Sequence, residues 1–110
     1  MKQPATDLLR GTLDLLILKT LQDDAMHGWA ISHRIQQQSR DALRVGQGSL
    51  YPALQRLEQR GWIDSVWSTT DENRRAKYYR LTRTGRRALN AETAQWRSYV
   101  QAVDLILQPE

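Results

Sequence analysis

Between Asn73 and Arg87 the chain reads NRRAKYYRLTRTGRR, in which Arg74, Arg75, Lys77, Arg80, Arg83, Arg86 and Arg87 supply seven positive charges uninterrupted by any acid. Guanidinium and ammonium groups at this density suit the recognition of a polyanion, and for a soluble domain nucleic acid leads the candidates. Tyr78 and Tyr79 interleave with the charges and favour an ordered strand over a disordered tail. A second stretch able to do such chemistry is GSLYPALQRLE, Gly48 to Glu58. With Leu50, Leu54 and Leu57 pointing inward at about 100° per residue, Pro52, Gln55 and Gln59 lie opposite, and Tyr51 and Arg56 sit on the shoulders. Gln and Arg can pair bidentately with adenine and guanine edges. Ser49 and Tyr51 can donate to phosphate, and the free N–H groups of a helix start attract phosphate as well.

Each of these residues also has a plainer role open to it. Tyr51 can pack on the edge of the preceding helix, Gln55 can be merely solvated, and Arg56 can pair with Glu58 or Asp64. Arg74, Arg75 and Lys77 can reach phosphates or a narrow minor groove, or can form a solvated hairpin tip that keeps an edge strand from aggregating. Arg83, Arg86 and Arg87 fall at the start of a helix, where the macrodipole disfavours cations, so a bound anion is the expected reason for them.

Other chemistries find no support. His27 and His33 are six apart with no cysteine in the chain and no nearby carboxylate pair, so no metal site is expected. His27 suits the cap of a helix and His33 the surface. Ser49 has no positioned base, and there is no phosphate-binding Gly-rich loop, HExxH motif or nucleophile elbow. Neither an enzyme nor a cofactor is expected.

Composition agrees with a small cytoplasmic domain. With 110 residues and 40% hydrophobic content the chain can bury one core. The absence of cysteine suits a reducing compartment. The net charge of +4 understates the polarity, because residues 1–73 are near neutral while residues 74–87 carry all seven charges of the basic run. Leu8 to Leu21 is leucine-rich, but Arg10, Asp14 and Lys19 interrupt it and it is too short to span a membrane; with no small-residue cleavage site after it, it reads as a buried helix.

The elements that must position these residues follow from periodicity. Leu9, Leu13, Leu16, Ile17, Thr20 and Leu21 predict helix one from about Asp7 to Gln22, with Thr6 or Asp7 as N-cap. Ile31 and Ile35 predict helix two from His27-Gly28 to Ser39, and Arg40 to Gly48 reads as a connector. Ser49 is the expected cap of helix three, which runs through Arg60 with Pro52 in its first turn and Gly61 at its C-terminus. The period then changes to two over Trp62–Trp67 and Lys77–Leu81, predicting a β-hairpin whose long, basic tip is Ser68–Ala76. A last helix starts at Thr82 or Thr84 and reaches Leu107. Leu89, Trp96 and Val103, with Thr93, Val100 and Leu107 displaced by three or four, form a coiled-coil seam too long for a small core to cover. The expected interface between two copies is therefore Leu89, Trp96, Val100, Val103 and Leu107. Trp29, Trp62 and Trp67 are expected to pack in the core or the hairpin.

Three helices and a hairpin give a mainly α fold with a small β-hairpin, a winged helix-turn-helix at residues 1–82 followed by a C-terminal dimerisation helix at residues 83–110, the two forming one compact unit. The segments HGWAI from His27, GSLYPALQRLE from Gly48 and KYYRLTRTG from Lys77 resemble the PadR-like transcriptional regulators, in collinear order over roughly residues 8–107. Ala76, where many relatives carry a basic residue, and Trp62, in place of the usual aliphatic, are small departures. The resemblance implies a homodimeric winged-helix repressor on an inverted-repeat operator in double-stranded DNA. Its DNA-binding residues would be Ser49, Tyr51, Pro52, Gln55, Arg56, Arg74, Arg75, Lys77 and Arg83. In some members of that family a gap between the C-terminal helices lets aromatic side chains sandwich a flat hydrophobic effector, which sets a ligand role for Trp96 against plain packing. The competing function is a winged-helix interaction module whose basic face binds an acidic protein.

Overall fold

The computed structural model describes the backbone of residues 5–109 and the side chains of residues 11–109. In chain order it contains α1 (Ala5–Thr20), β1 (Met26–His27), α2 (Gly28–Gln38), α3 (Gln47–Gln59), β2 (Ile63–Thr69), β3 (Arg75–Leu81) and α4 (Arg83–Leu107). The mainly α winged-helix class expected from periodicity is the one observed. The caps proposed at Thr6 or Asp7, and the inward Leu9, lie outside the residues whose side chains are described.

Helices α1 to α3 meet along their apolar stripes. Leu13, Ile17, Leu18 and Leu21 of α1, Ile31 and Ile35 of α2, and Leu50, Ala53, Leu54 and Leu57 of α3 are buried, and Ile63, Tyr79 and Leu89 close the core from the sheet and from α4. α2 is capped as expected, with the Ala30 N–H donating to His27 Nδ1 at 3.3 Å. Its far end turns through two successive left-handed residues, Arg40 (φ 54°) and Asp41 (φ 67°). The Ser39 hydroxyl steadies that turn by accepting from the Leu43 N–H at 2.9 Å.

α3 begins three residues earlier than Ser49 would allow as a cap: the N-cap is Gly46, without a side-chain hydrogen bond, and Pro52 is the sixth helical residue rather than part of the first turn. Gln47, Gly48 and Ser49 carry no apolar periodicity, so nothing in the pattern marks this extra turn. The other end matches the sequence reading. Gly61 adopts φ 78°; its N–H donates to the Glu58 carbonyl and the Trp62 N–H to the Leu57 carbonyl, both at 3.0 Å. This double closure needs a left-handed residue, which glycine supplies without a Cβ penalty.

The sheet has three strands in the order β1-β3-β2, all antiparallel. β1, two residues pairing Met26 with Tyr79 and His27 with Tyr78, was not anticipated, since two residues show no period. The hairpin strands run longer than expected, to Thr69 and from Arg75. The tip is accordingly short, Thr70–Arg74, with Asn73 left-handed (φ 64°) and the Thr70 N–H donating to the Arg74 carbonyl at 2.7 Å. It also contains Asp71 and Glu72, so the expected long basic tip is corrected to a short one of mixed charge whose cations stand mainly on β3.

Thr82 caps α4, accepting the Gly85 N–H at 2.9 Å. Gly85 is buried because the backbone of Trp62 passes against it; a Cβ there would overlap the Trp62 carbonyl, which also accepts the Thr82 N–H at 3.0 Å. Replacing that residue tests the approach: Gly85→Ala should lower stability by about 1–3 kcal/mol, the usual cost of overpacking, seen as an earlier urea midpoint. An unchanged midpoint would contradict this packing.

Candidate nucleic-acid interface

Alternation along the hairpin decides which of its faces meets α3. The register pairs Ile63 with Leu81, Ser65 with Tyr79, Trp67 with Lys77 and Thr69 with Arg75. Because side chains alternate, these eight residues share one face of the β2–β3 ribbon. At the base of this face Ile63 and Tyr79 are buried. Midway, the Ser65 hydroxyl donates to Glu58 Oε2 on α3 at 2.6 Å, and Lys77 Nζ lies 3.7 Å from Glu58 Oε1. A cleft between helix and hairpin follows, lined by Tyr51, Gln55, Glu58, Gln59, Lys77 and Tyr79. Further out, Trp67 and Arg75 stand exposed.

On α3 the helical arithmetic places the side chains as expected. Ser49, Tyr51, Pro52, Gln55 and Gln59 are exposed while Leu50, Ala53, Leu54 and Leu57 are buried. Tyr51 is only partly free, because its phenol end packs against the backbone of Gly28 at the start of α2, the plainer role considered for it. Burial first, and then the Glu58 carboxylate and the Tyr51 phenol, push the Tyr79 phenol above its ordinary value. It therefore stays a hydrogen-bond donor on the cleft wall. Arg56 points away from this cleft: Nη2 donates to Asp14 Oδ1 of α1 at 2.9 Å, instead of pairing with Glu58 or Asp64. Asp64 is taken by Arg80 at 2.8 Å in an exposed pair, which raises the Arg80 guanidinium further above its ordinary value. Arg74 lies in the tip, and Arg83, Arg86 and Arg87 are exposed on the first turns of α4.

A helix with an exposed Gln-bearing face, flanked by a hairpin whose inner face is basic, has the geometry of a DNA-reading winged helix. The family model described as "Transcriptional regulator PadR-like family" matches residues 17–91. The chain belongs to the PadR-like family. It is similar to a transcriptional regulator of Mycobacterium tuberculosis, 37% identical over 83 residues, covering 76% of this chain and 74% of the relative. Among solved structures it is similar to a transcriptional regulator from Clostridium thermocellum, with TM-score 0.85, 26% identity and coverage of 93% and 99% of the two chains. A PadR family regulator from Eggerthella lenta gives TM-score 0.81, 30% identity and coverage of 96% and 90%. This PadR-like chain is thus a winged-helix, DNA-binding transcriptional regulator, and its family and these structural neighbours are transcriptional regulators rather than enzymes. No helix among the described residues is long and apolar enough to cross a membrane.

Within this PadR-like fold several side chains depart from the sequence reading. Leu89, expected between two copies, is 2% exposed and belongs to the chain's own core. The uncovered part of α4 starts beyond it: Trp96, Tyr99, Leu105, Ile106 and Leu107 are exposed, and Val100 and Val103 are half-buried. Trp96 and Tyr99 sit with ring centroids 6.0 Å apart, beside a cleft shared with Gly11, Thr12 and Leu15 of α1. Trp62 packs against the core as expected. Trp29 does not: it is 63% exposed, stacked on His33 at 4.7 Å. Two positions before Ile31 on a helix is roughly 200° around, the far side from the core stripe. Glu58 has a different partner from the one its sequence neighbourhood offers, facing Ser65 and Lys77 of the hairpin rather than Arg56. The packing of the hairpin against α3, with the register that sets Ser65 and Lys77 on one face, brings them together.

The Arg56–Asp14 pair is partly shielded, with side chains 34% and 17% exposed. Arg56→Ala should therefore act on stability, by about 1–2 kcal/mol as a charge-assisted bond with partial screening, and leave the affinity of folded protein for DNA nearly unchanged. Denaturation and titration of a labelled duplex separate the two; a large affinity loss with unchanged stability would restore Arg56 to the DNA face.

Proposed function

We propose that this regulator works in the cytoplasm as a homodimeric repressor on an inverted-repeat operator, released when a signal changes the angle between its subunits. The observation that carries the dimer is the apolar length of α4. At 1.5 Å per residue its 25 residues extend roughly 37 Å, yet only Gly85 and Leu89 of it are buried within the chain. Trp96, Val100, Val103 and Leu107 continue on its free length at coiled-coil spacing, and a second copy can cover them in a self-complementary seam. Two-fold symmetry then requires an operator of the same symmetry, with the two α3 helices about one turn of B-DNA apart, roughly 34 Å. In this arrangement residues 1–82 bind DNA and residues 83–110 join the subunits.

Roles on the DNA face follow from exposure. Gln55 reads base edges. Ser49, Tyr51 and Pro52 approach the backbone at the start of α3, with the two hydroxyls donating to phosphate, and Arg74, Lys77 and Arg83 neutralise phosphates on either side. Lys77 does so while bridged to Glu58, which fixes its height above the cleft. Arg56 is withdrawn by Asp14. The effector site would lie at the seam beside Trp96 and Tyr99, where a planar hydrophobic compound could wedge between copies; such coupling is limited to its differential affinity for the two subunit spacings, typically about 1–3 kcal/mol.

Base reading by α3 predicts that Gln55→Ala costs about 1–3 kcal/mol on a duplex selected from a random pool and little on unselected DNA. Arg74→Ala should weaken both alike and flatten the salt dependence by about one unit. Titrations at several salt concentrations check both; equal losses for Gln55→Ala on the two duplexes would move specificity off α3. Sedimentation at low micromolar concentration should show a dimer, and a folded monomer there would contradict the seam.

A further inference from the structure

The hairpin face that meets α3 does not end at Lys77. Trp67, opposite Lys77, remains 60% exposed, although it shares a face with buried Ile63. It stands four residues further along, about 14 Å at about 3.4 Å per residue, beyond the cleft with α3. A tryptophan left bare on the inner face of a polar hairpin has no packing reason for being there. Its neighbour explains it. Arg75 lies diagonally across the ladder, and its guanidinium carbon is 5.1 Å from the Trp67 ring centroid.

The surrounding charges single out this arginine. Of the three cations on β3, Lys77 is bridged to Glu58 and Arg80 to Asp64. Among the described residues Arg75 has no carboxylate partner, and a free arginine side chain would give up about 2 kcal/mol of rotamer entropy to be fixed. Stacking on an indole removes part of that freedom before DNA arrives, while leaving the edge of the guanidinium, with its N–H donors, directed away from the ring. We propose that Trp67 and Arg75 form one unit that reads the minor groove flanking each half-site: Trp67 as the positioning residue, Arg75 as the group inserted into the groove. This rests on the DNA-binding reading of the same face. A groove is a better target than a single phosphate for this pair, because a narrow A·T-rich minor groove concentrates negative potential at its floor and has apolar sugar walls against which the exposed indole edge can pack. Phosphate contact alone would not call for an aromatic platform.

The test varies only the base pairs flanking a duplex selected from a random pool with the wild-type protein. Flanks are made A·T, G·C or inosine·C; the last matches G·C in the major groove but lacks the amino group that G places in the minor groove. The wild type should bind A·T and inosine·C flanks better than G·C. In Arg75→Ala and in Trp67→Ala that preference should fall by about two- to fivefold, the range of an exposed cation–π contact, and the double variant should lose no more than either single one. Trp67→Phe should keep part of the preference. Trp67→Leu, which retains bulk without a π face, should lose it at unchanged melting temperature, separating positioning from mere support of the hairpin. A flank preference that survives Trp67→Leu and Trp67→Ala, or a wild type that selects a duplex yet ignores its flanks, overturns the proposal while leaving the DNA reading intact. A wild type that selects no duplex overturns both.

Discussion

Four parts of this molecule meet at one threonine. Thr82 Oγ1 donates to the Gly61 carbonyl at 2.7 Å and accepts the Gly85 N–H at 2.9 Å, while the Thr82 backbone N–H reaches the Trp62 carbonyl at 3.0 Å. Gly61 closes α3, Trp62 leads into β2, Thr82 leaves β3 and Gly85 is in the first turn of α4. The end of α3, the root of the hairpin and the start of the long helix therefore cannot move independently. Gly61 is needed for its left-handed backbone and Gly85 for its missing Cβ, and each is placed so that the other's element can approach. A threonine can make both bonds at once because its hydroxyl is donor and acceptor.

From that junction the proposed DNA face is built outward in layers of decreasing burial. Leu57, Ile63 and Tyr79 are buried together in the core; Glu58 then ties α3 to the hairpin through Ser65 and Lys77; Trp67 and Arg75 project beyond any support from α3. An acid in the middle of a DNA-binding face opposes polyanion binding, and its compensation here is geometric: it holds one cation at a set height and orients the ribbon. In the other direction, α4 carries the same rigid junction toward its exposed apolar length. A change of angle between two such helices would reach α3 through Thr82 and Gly61 rather than through a flexible linker, which gives the proposed effector response a short mechanical path.

Periodicity made the four helices and the hairpin legible, because each has a buried stripe regular enough to see: Leu50, Leu54 and Leu57 placed the outward face of α3, and Gly61 and Thr82 announced their turns. Legibility failed where a structural reason came from outside the local pattern. Strand β1 exists only because β3 offers an edge to Met26 and His27. Gly46, not Ser49, starts α3 because helix starts need not carry a side-chain cap. Arg56 found Asp14, 42 residues away, when only nearby acids had been weighed. Leu89 fits a seven-residue spacing and a core position equally well, and the globular core claimed it. Hydrophobicity alone points Trp29 and Trp67 to packing in the core or the hairpin, yet the helix angle of one and the strand length of the other put them in solvent.

The central claim is that two copies of this chain, joined through α4, set two α3 helices on one face of a DNA duplex. Hydroxyl-radical footprinting of the protein on a duplex selected from a random pool tests it most directly, since it reports spacing and symmetry together. The account predicts two symmetry-related sets of protected sugars on one side of the duplex, their centres about one helical turn apart, roughly 34 Å. A single protected patch without a symmetric counterpart, or two patches on opposite sides of the duplex, would contradict it.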